Sequence, residues 1–179
     1  MKLPAPLHPA TVHRRLNRFA VEVTIDGAPQ AVHLANSSRP RELLVPGTPA
    51  LLAPRQGVHR KTGYDLLLVR VDGQWVSADA RLPNALLREA LLDGRLAPFS
   101  RYPQLAAEVS YGGSRVDFAL ANGAGGLCLV EAKSVTLVAD PAFGRALRQA
   151  AAVGVSILAY RCCVTPREVR LTEPVAVRL

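Results

Sequence analysis

Hydrophobic and polar residues alternate with a period of two along much of the first eighty residues. Phe19-Ala20-Val21-Glu22-Val23-Thr24-Ile25 reads as a strand ending in the turn Asp26-Gly27. Gln30-Ala31-Val32-His33-Leu34 is its hairpin partner. Ala50–Ala53 and Tyr64–Val71 add two more strands, and Asp72-Gly73 turns the second of these into Gln74–Ser77. Five or so short strands with Gly and Pro turns predict a small closed barrel, for which the oligonucleotide-binding fold is one candidate. The pattern changes near residue 80. Pro83 suits a first helical position and Ala85–Leu92 has helical spacing, closed by Asp93-Gly94. A second short helix is expected over 103–109, carrying Glu108 near its end. Ser114–Leu120 and Leu127–Val130 read as a hairpin. Asp140-Pro141 starts another helix, ended by Gly154, and strands follow at 155–160, 169–171 and 175–177.

The hairpin carries the candidate chemistry. Asn122-Gly123-Ala124-Gly125-Gly126 is a strong turn signal. A turn symmetric about Ala124 sets Asp117 opposite Glu131. Directly opposed side chains have Cβ atoms roughly 4.5–5.5 Å apart. Two carboxylates that close repel unless a proton or cation lies between them. A divalent ion with oxygen ligands, Mg²⁺ or Mn²⁺, resolves the repulsion. Lys133 shares a strand face with Glu131, while Ala132 points the other way. Lysine is scarce: it occurs only at Lys2, Lys61 and Lys133 among 22 basic residues. An amine can orient a water or shift its pKa where a guanidinium stays charged. An acid followed by an acid and an amine two residues apart is the layout of a metal-dependent phosphodiesterase centre. The plainer alternative is a cross-strand ion pair of Lys133 with Asp117 or Glu131.

Charge adds a partner. The 179-residue chain carries a net charge of +8, split evenly between residues 1–80 and 81–179. That favours a polyanion, and DNA is the expected one. The basic segments Arg14-Arg15, Arg39 to Arg41 and Arg55 to Lys61 are where a phosphate backbone could be tracked. A solvated hairpin tip is the competing reading of Arg55, Arg60 and Lys61. No stretch approaches the roughly 18–20 apolar residues of a membrane helix, so no membrane partner is expected. The N-terminus lacks an apolar signal core, and Cys128, Cys162 and Cys163 have no metal-site spacing. A cytoplasmic protein with reduced thiols is the expectation. Histidines 8, 13, 33 and 59 are scattered and single out no general base.

Several stretches together resemble the sugar fermentation stimulation protein A family. They are His33–Ser37, Arg41–Gly47, Val76–Asn84, Glu108–Gly112 through Asp117-Phe118, and Val130–Leu137. The resemblance implies an α+β protein of two domains. Residues 1–80 would form an oligonucleotide-binding-fold-like β-barrel and residues 81–179 a restriction-endonuclease-like, PD-(D/E)xK, α/β domain. It also implies DNA binding and a role in regulating sugar (maltose) metabolism genes. Carried over by position, Asp117, Glu131 and Lys133 occupy the nuclease triad, and Glu108 matches the acid that often precedes it. In that chemistry the carboxylates hold Mg²⁺ and the lysine steers a water whose pKa the metal lowers. The chain departs from the family at Ser38 and Pro40. It departs further after Val138, which runs straight into Ala139–Phe143, a stretch resembling a later part of the family. Against the family pattern roughly one helix and one strand are missing there, either by a true deletion or because a segment is left out of the sequence. A true deletion would expose a sheet edge, for which a homodimer is the expected cover, and it sets binding without turnover against a Mg²⁺- or Mn²⁺-dependent nuclease as the function.

Overall fold

The computed structural model describes residues 1–36, 43–58, 60–132 and 159–175, and these fall into two compact units. The first contains Met1–Arg81 and the second Leu82–Ser134, while Val135–Leu179 belongs with the first.

The first unit is built from β1 (His8–Asn17), β2 (Ala20–Ile25), β3 (Ala28–His33), β4 (Pro49–Pro54), β5 (Tyr64–Val71) and β6 (Gln74–Ser77). They form one sheet in the order β3-β2-β1-β4-β5-β6, and an added β3–β5 pairing closes five of them into a barrel. This is the barrel that the alternation predicted, with strand β1 added. His8–Asn17 escapes sequence reading because Val12 is its one fully buried residue and arginines and a proline interrupt the pattern. The β2–β3 and β5–β6 turns have Asp26 and Gly27, then Asp72 and Gly73, at positive φ. Two consecutive left-handed residues give the type I′ turn, whose twist matches the flanking strands. Val21, Val23, Val32, Leu34, Leu52 and Leu66 have no exposed surface and fill the barrel.

The seam is distinctive. β3 meets β5 in parallel through His33 opposite Asp65. Strands β10 (Ala159–Val164) and β11 (Val169–Val175) form an antiparallel hairpin, whose turn meets the N-terminus through Lys2 and Glu168. Cys162 and Cys163 lie on β10, and sequence-expected strands 169–171 and 175–177 are joined in β11 up to Val175.

The second unit starts with α1 (Leu82–Leu92), close to the expected helix. The amide of Arg95 donates to Ala90 and that of Gly94 to Leu91, with Gly94 at φ 66°. That is a Schellman cap, which needs a left-handed residue at the glycine position. Strands β7 (Gln104–Tyr111), β8 (Ser114–Ala121) and β9 (Leu127–Val130) form a three-stranded sheet in that order. The short helix expected over 103–109 is therefore strand β7. Ala106, Ala107 and Glu108 are good helix formers. However, the Gly112-Gly113 turn, both residues at positive φ, folds the segment back on β8, and cross-strand pairing overrides propensity. Phe118 and Leu120 alternate into the core of this unit, where Leu86 and Ala90 are also buried. The helix expected from Asp140 lies outside the described residues, as do Arg39, Arg41, His59 and Lys133. No helix among the described residues is long and apolar enough to cross a membrane.

Candidate functional site

The second unit holds the acids. β8 pairs with β9 as Phe118 with Val130 through Ala121 with Leu127, a register centred on Ala124 as the turn predicted. Asn122 makes the turn. Its side-chain oxygen accepts from the amides of Ala124 at 3.1 Å and Gly126 at 2.7 Å. The next rung therefore sets Glu131 opposite Asp117, just past the last paired residue of β9. On the other side, β7 pairs Ala107 with Phe118 and Val109 with Val116, which places Glu108 opposite Asp117 as well. By count of residues Glu108 and Glu131 therefore flank Asp117, with Glu131 beyond the end of β9.

The three acids differ in what they meet. Asp117 Oδ1 accepts from Asn84 Nδ2 and its Oδ2 from the amide of Ala132, both at 2.8 Å. The first bond ties the start of α1 to β8, and the second ties down the chain beyond β9. A carboxylate oxygen has two lone pairs, so each still has one to offer. Glu131 is exposed. Glu108 is turned aside: its φ is 54° and it pairs with Arg115 at 2.5 Å, with both side chains mostly exposed. A non-glycine residue in that region costs of order 1–3 kcal/mol, and such residues gather at functional sites. Among the described residues no three His, Cys, Asp or Glu side chains converge as metal ligands. Mg²⁺ takes one or two carboxylates and keeps its waters or substrate phosphates as further ligands. Asp117 and Glu131 carry oxygen donors of that kind, while the Glu108 carboxylate pairs with Arg115.

The first unit holds the basic cluster. Asp65 stands on β5 at the barrel seam with its side chain 0% exposed. Its Oδ1 meets His33 Nδ1 at 3.2 Å and accepts from Arg60 Nη2. Its Oδ2 accepts from Arg55 Nε at 3.2 Å and Arg81 Nη2 at 2.8 Å. Arg81 also grips Asp79, itself buried, through Nε at 2.9 and 3.1 Å and Nη2 at 2.5 Å. Burial pushes the Asp65 carboxyl up, but hydrogen bonds from Arg81 and Arg60 and their charges outweigh it and hold it below the usual carboxylate range. The Arg81 guanidinium is held more firmly protonated still, chiefly by its bonds to Asp79, against the opposing effect of burial.

Arg55 and Arg60, singled out in the sequence, are thus brought together, with Lys61 beside them on the β4–β5 loop. His33, Asp65, Asp79 and Arg81 were missed as site residues. The signal was an aspartate inside the apolar strand Tyr64–Val71, since a buried carboxylate needs partners. Their positions in sequence could not show which partners.

These features define a closed oligonucleotide-binding-type barrel with a cationic cluster at its seam, joined to a unit bearing paired acids on a hairpin. The description "SfsA N-terminal OB domain" matches residues 14–78, and "Sugar fermentation stimulation protein RE domain" matches residues 81–140. The chain belongs to the sugar fermentation stimulation protein family. A sugar fermentation stimulation protein homolog of Moorella thermoacetica is 38% identical over the full length of both chains, and one of Citrifermentans bemidjiense is 36% identical, also over both. The Moorella alignment runs over 232 positions against 179 residues here, so 53 of them face a gap in this chain. The second family match stops at residue 140, next to the departure seen after Val138. The solved structure titled as Pyrococcus furiosus SfsA in complex with Ca²⁺ shares the fold at a TM-score of 0.85 and 21% identity, over 100% of both chains.

Proposed function

We propose that this protein binds DNA through its phosphates and carries a divalent-metal site, Mg²⁺ or Mn²⁺, at Asp117 and Glu131. The observation that carries the reading is the arginine cluster on the barrel: Arg55, Arg60 and Arg81 are held together at the seam by Asp65. In barrels of this type the loop between the fourth and fifth strands is among those that line the ligand surface. Here that loop carries Arg55, Arg60 and Lys61. A net charge of +8 gives the electrostatic attraction. Control of sugar metabolism genes is the physiological role consistent with the family's name.

A second reading, a Mg²⁺- or Mn²⁺-dependent nuclease of restriction-endonuclease type, is favoured by the β8–β9 register, which brings Glu131 just past the strand end beside Asp117, whose carboxylate accepts from the next amide, that of Ala132. A relative of the same fold is described with Ca²⁺, a cation that also takes carboxylate oxygens. A bound metal would polarise the scissile phosphate and lower the pKa of its water. Asp117 and Glu131 would hold the ion, Asn84 and the Ala132 amide would fix the Asp117 carboxylate, and Lys133 would orient the water.

Retardation of labelled DNA at rising salt, combined with cleavage assays over a Mn²⁺ titration, tests both. Binding whose logarithm falls by about 0.7–0.9 per phosphate contacted against log salt supports the first reading. No binding at low salt refutes it. Cleavage that needs Mn²⁺ and disappears in Asp117→Asn establishes the second.

A further inference from the structure

We propose that Arg55, Arg60 and Arg81 form a preorganised pocket for one backbone phosphate of a nucleic acid, with buried Asp65 as the positioning residue. This deepens the DNA-binding reading and rests on it. The negative charge lies inside: the Asp65 side chain is 0% exposed and that of Asp79 is 3% exposed. The positive charge faces out, with Arg55, Arg60 and Arg81 side chains 45%, 30% and 52% exposed. Three guanidiniums over two carboxylates leave an excess positive charge, and Lys61 adds to it.

Each guanidinium is only partly used. Arg55 donates from Nε, Arg60 from Nε and Nη2, and Arg81 from Nε and Nη2. Among the described residues Nη1 of all three has no acceptor. Guanidinium N–H pairs fit phosphate oxygens in a fixed fork. Like charges so close would splay apart without a shared counter-charge, and Asp65 supplies it. Holding the side chains in place before the ligand arrives removes much of the ordering cost of binding. The exposed side chains leave those spare donors open to solvent, where phosphate oxygens can replace water.

The test is fluorescence anisotropy of a labelled oligothymidylate, with salt varied from about 50 to about 200 mM. The proteins compared are wild type, Arg55→Ala/Arg60→Ala, Arg60→Lys and, as a charge-loss control on α1, Arg88→Ala. The double variant is expected to bind on the order of tenfold more weakly at low salt. Its salt slope should fall by about 0.7–0.9, the loss of one phosphate contact, while Arg88→Ala keeps the wild-type slope. If the double variant does not fold, Arg60→Lys decides. It keeps the charge and loses the fork, so weaker binding at an unchanged slope supports the pocket and wild-type affinity overturns it. A folded double variant with wild-type affinity and slope overturns the pocket and leaves DNA binding standing. Wild type that fails to bind at low salt overturns both. Calorimetric binding of inorganic phosphate, as tight as that of the oligonucleotide and lost in the double variant, would assign the pocket to free phosphate and overturn the backbone assignment.

Discussion

Replacing Asp117 separates its structural role from its proposed chemical one. Both carboxylate oxygens accept hydrogen bonds at 2.8 Å, one from the Asn84 side chain and one from the Ala132 amide. A hydrogen bond to a charged group contributes about 1.5–3 kcal/mol. Asp117→Ala removes both acceptors and leaves a backbone N–H and an amide without partners. Asp117 is half-buried, so water satisfies part of that loss, and a cost of about 2–4 kcal/mol is expected. Asp117→Asn behaves differently. Its oxygen can accept from Ala132, which has no freedom to change. Its NH₂ then faces Asn84, whose amide flips to present oxygen. Both bonds survive as neutral ones of roughly half the strength, for a cost of about 1 kcal/mol. At 179 residues that is a fall in melting temperature of about 2–4 °C. Denaturant unfolding of wild type, Asp117→Asn, Asp117→Ala, Asn84→Ala and Asn84→Ala/Asp117→Asn measures the series. The double variant should cost less than the sum of its singles, because Asn84 and Asp117 share a bond. Calorimetric Mn²⁺ titration of the same proteins should show the site lost in Asp117→Asn although the fold persists. Equal costs for Asn and Ala, or Mn²⁺ binding unchanged in Asp117→Asn, would refute the reasoning.

Further expectations concern the two units separately. Because the Asp65 carboxyl titrates below its ordinary range, its stabilisation is complete above about pH 4 and is lost as pH falls through the depressed folded value. The stability gap between wild type and Asp65→Asn should therefore be flat from neutral pH to about pH 4 and narrow below that; a gap that narrows between pH 7 and 5 would contradict it. Gly94→Ala puts a side chain at φ 66° in the α1 cap and should cost about 1 kcal/mol, read by denaturant midpoint. A neutral result would mean the cap relaxes freely. Lys133→Ala should abolish any Mn²⁺-dependent cleavage while leaving oligonucleotide affinity within about twofold. Cleavage that persists in the variant would remove Lys133 from the chemistry.

Local signals made much of this protein legible in its sequence. Asp26-Gly27, Asp72-Gly73 and the glycine-rich turn around Ala124 each dictate a hairpin by backbone conformation alone. The β8–β9 register, Phe118 with Val130 through Ala121 with Leu127, followed from the symmetry of one of those turns. Pro83 and Gly94 bracket α1 for equally local reasons. Where propensity and pairing disagreed, as over Gln104–Tyr111, the sequence misled, because alanines and a glutamate say helix while a partner strand says otherwise. The arginine cluster was legible only in part: the basic loop with Arg55 and Arg60 stood out, while the partners His33, Asp65, Asp79 and Arg81 did not. The β4–β5 and β5–β6 hairpins bring Arg55, Arg60 and Arg81 to Asp65, and β3 closing on β5 adds His33. Closure is a non-local pairing, decided by burying the valines and leucines of five strands together. The sequence alone specified the local turns and most of the strands they join; only the tertiary structure decided which partners a lone aspartate in an apolar strand would gather, because its charge could be buried only against the cations that the neighbouring strands and loops bring to it.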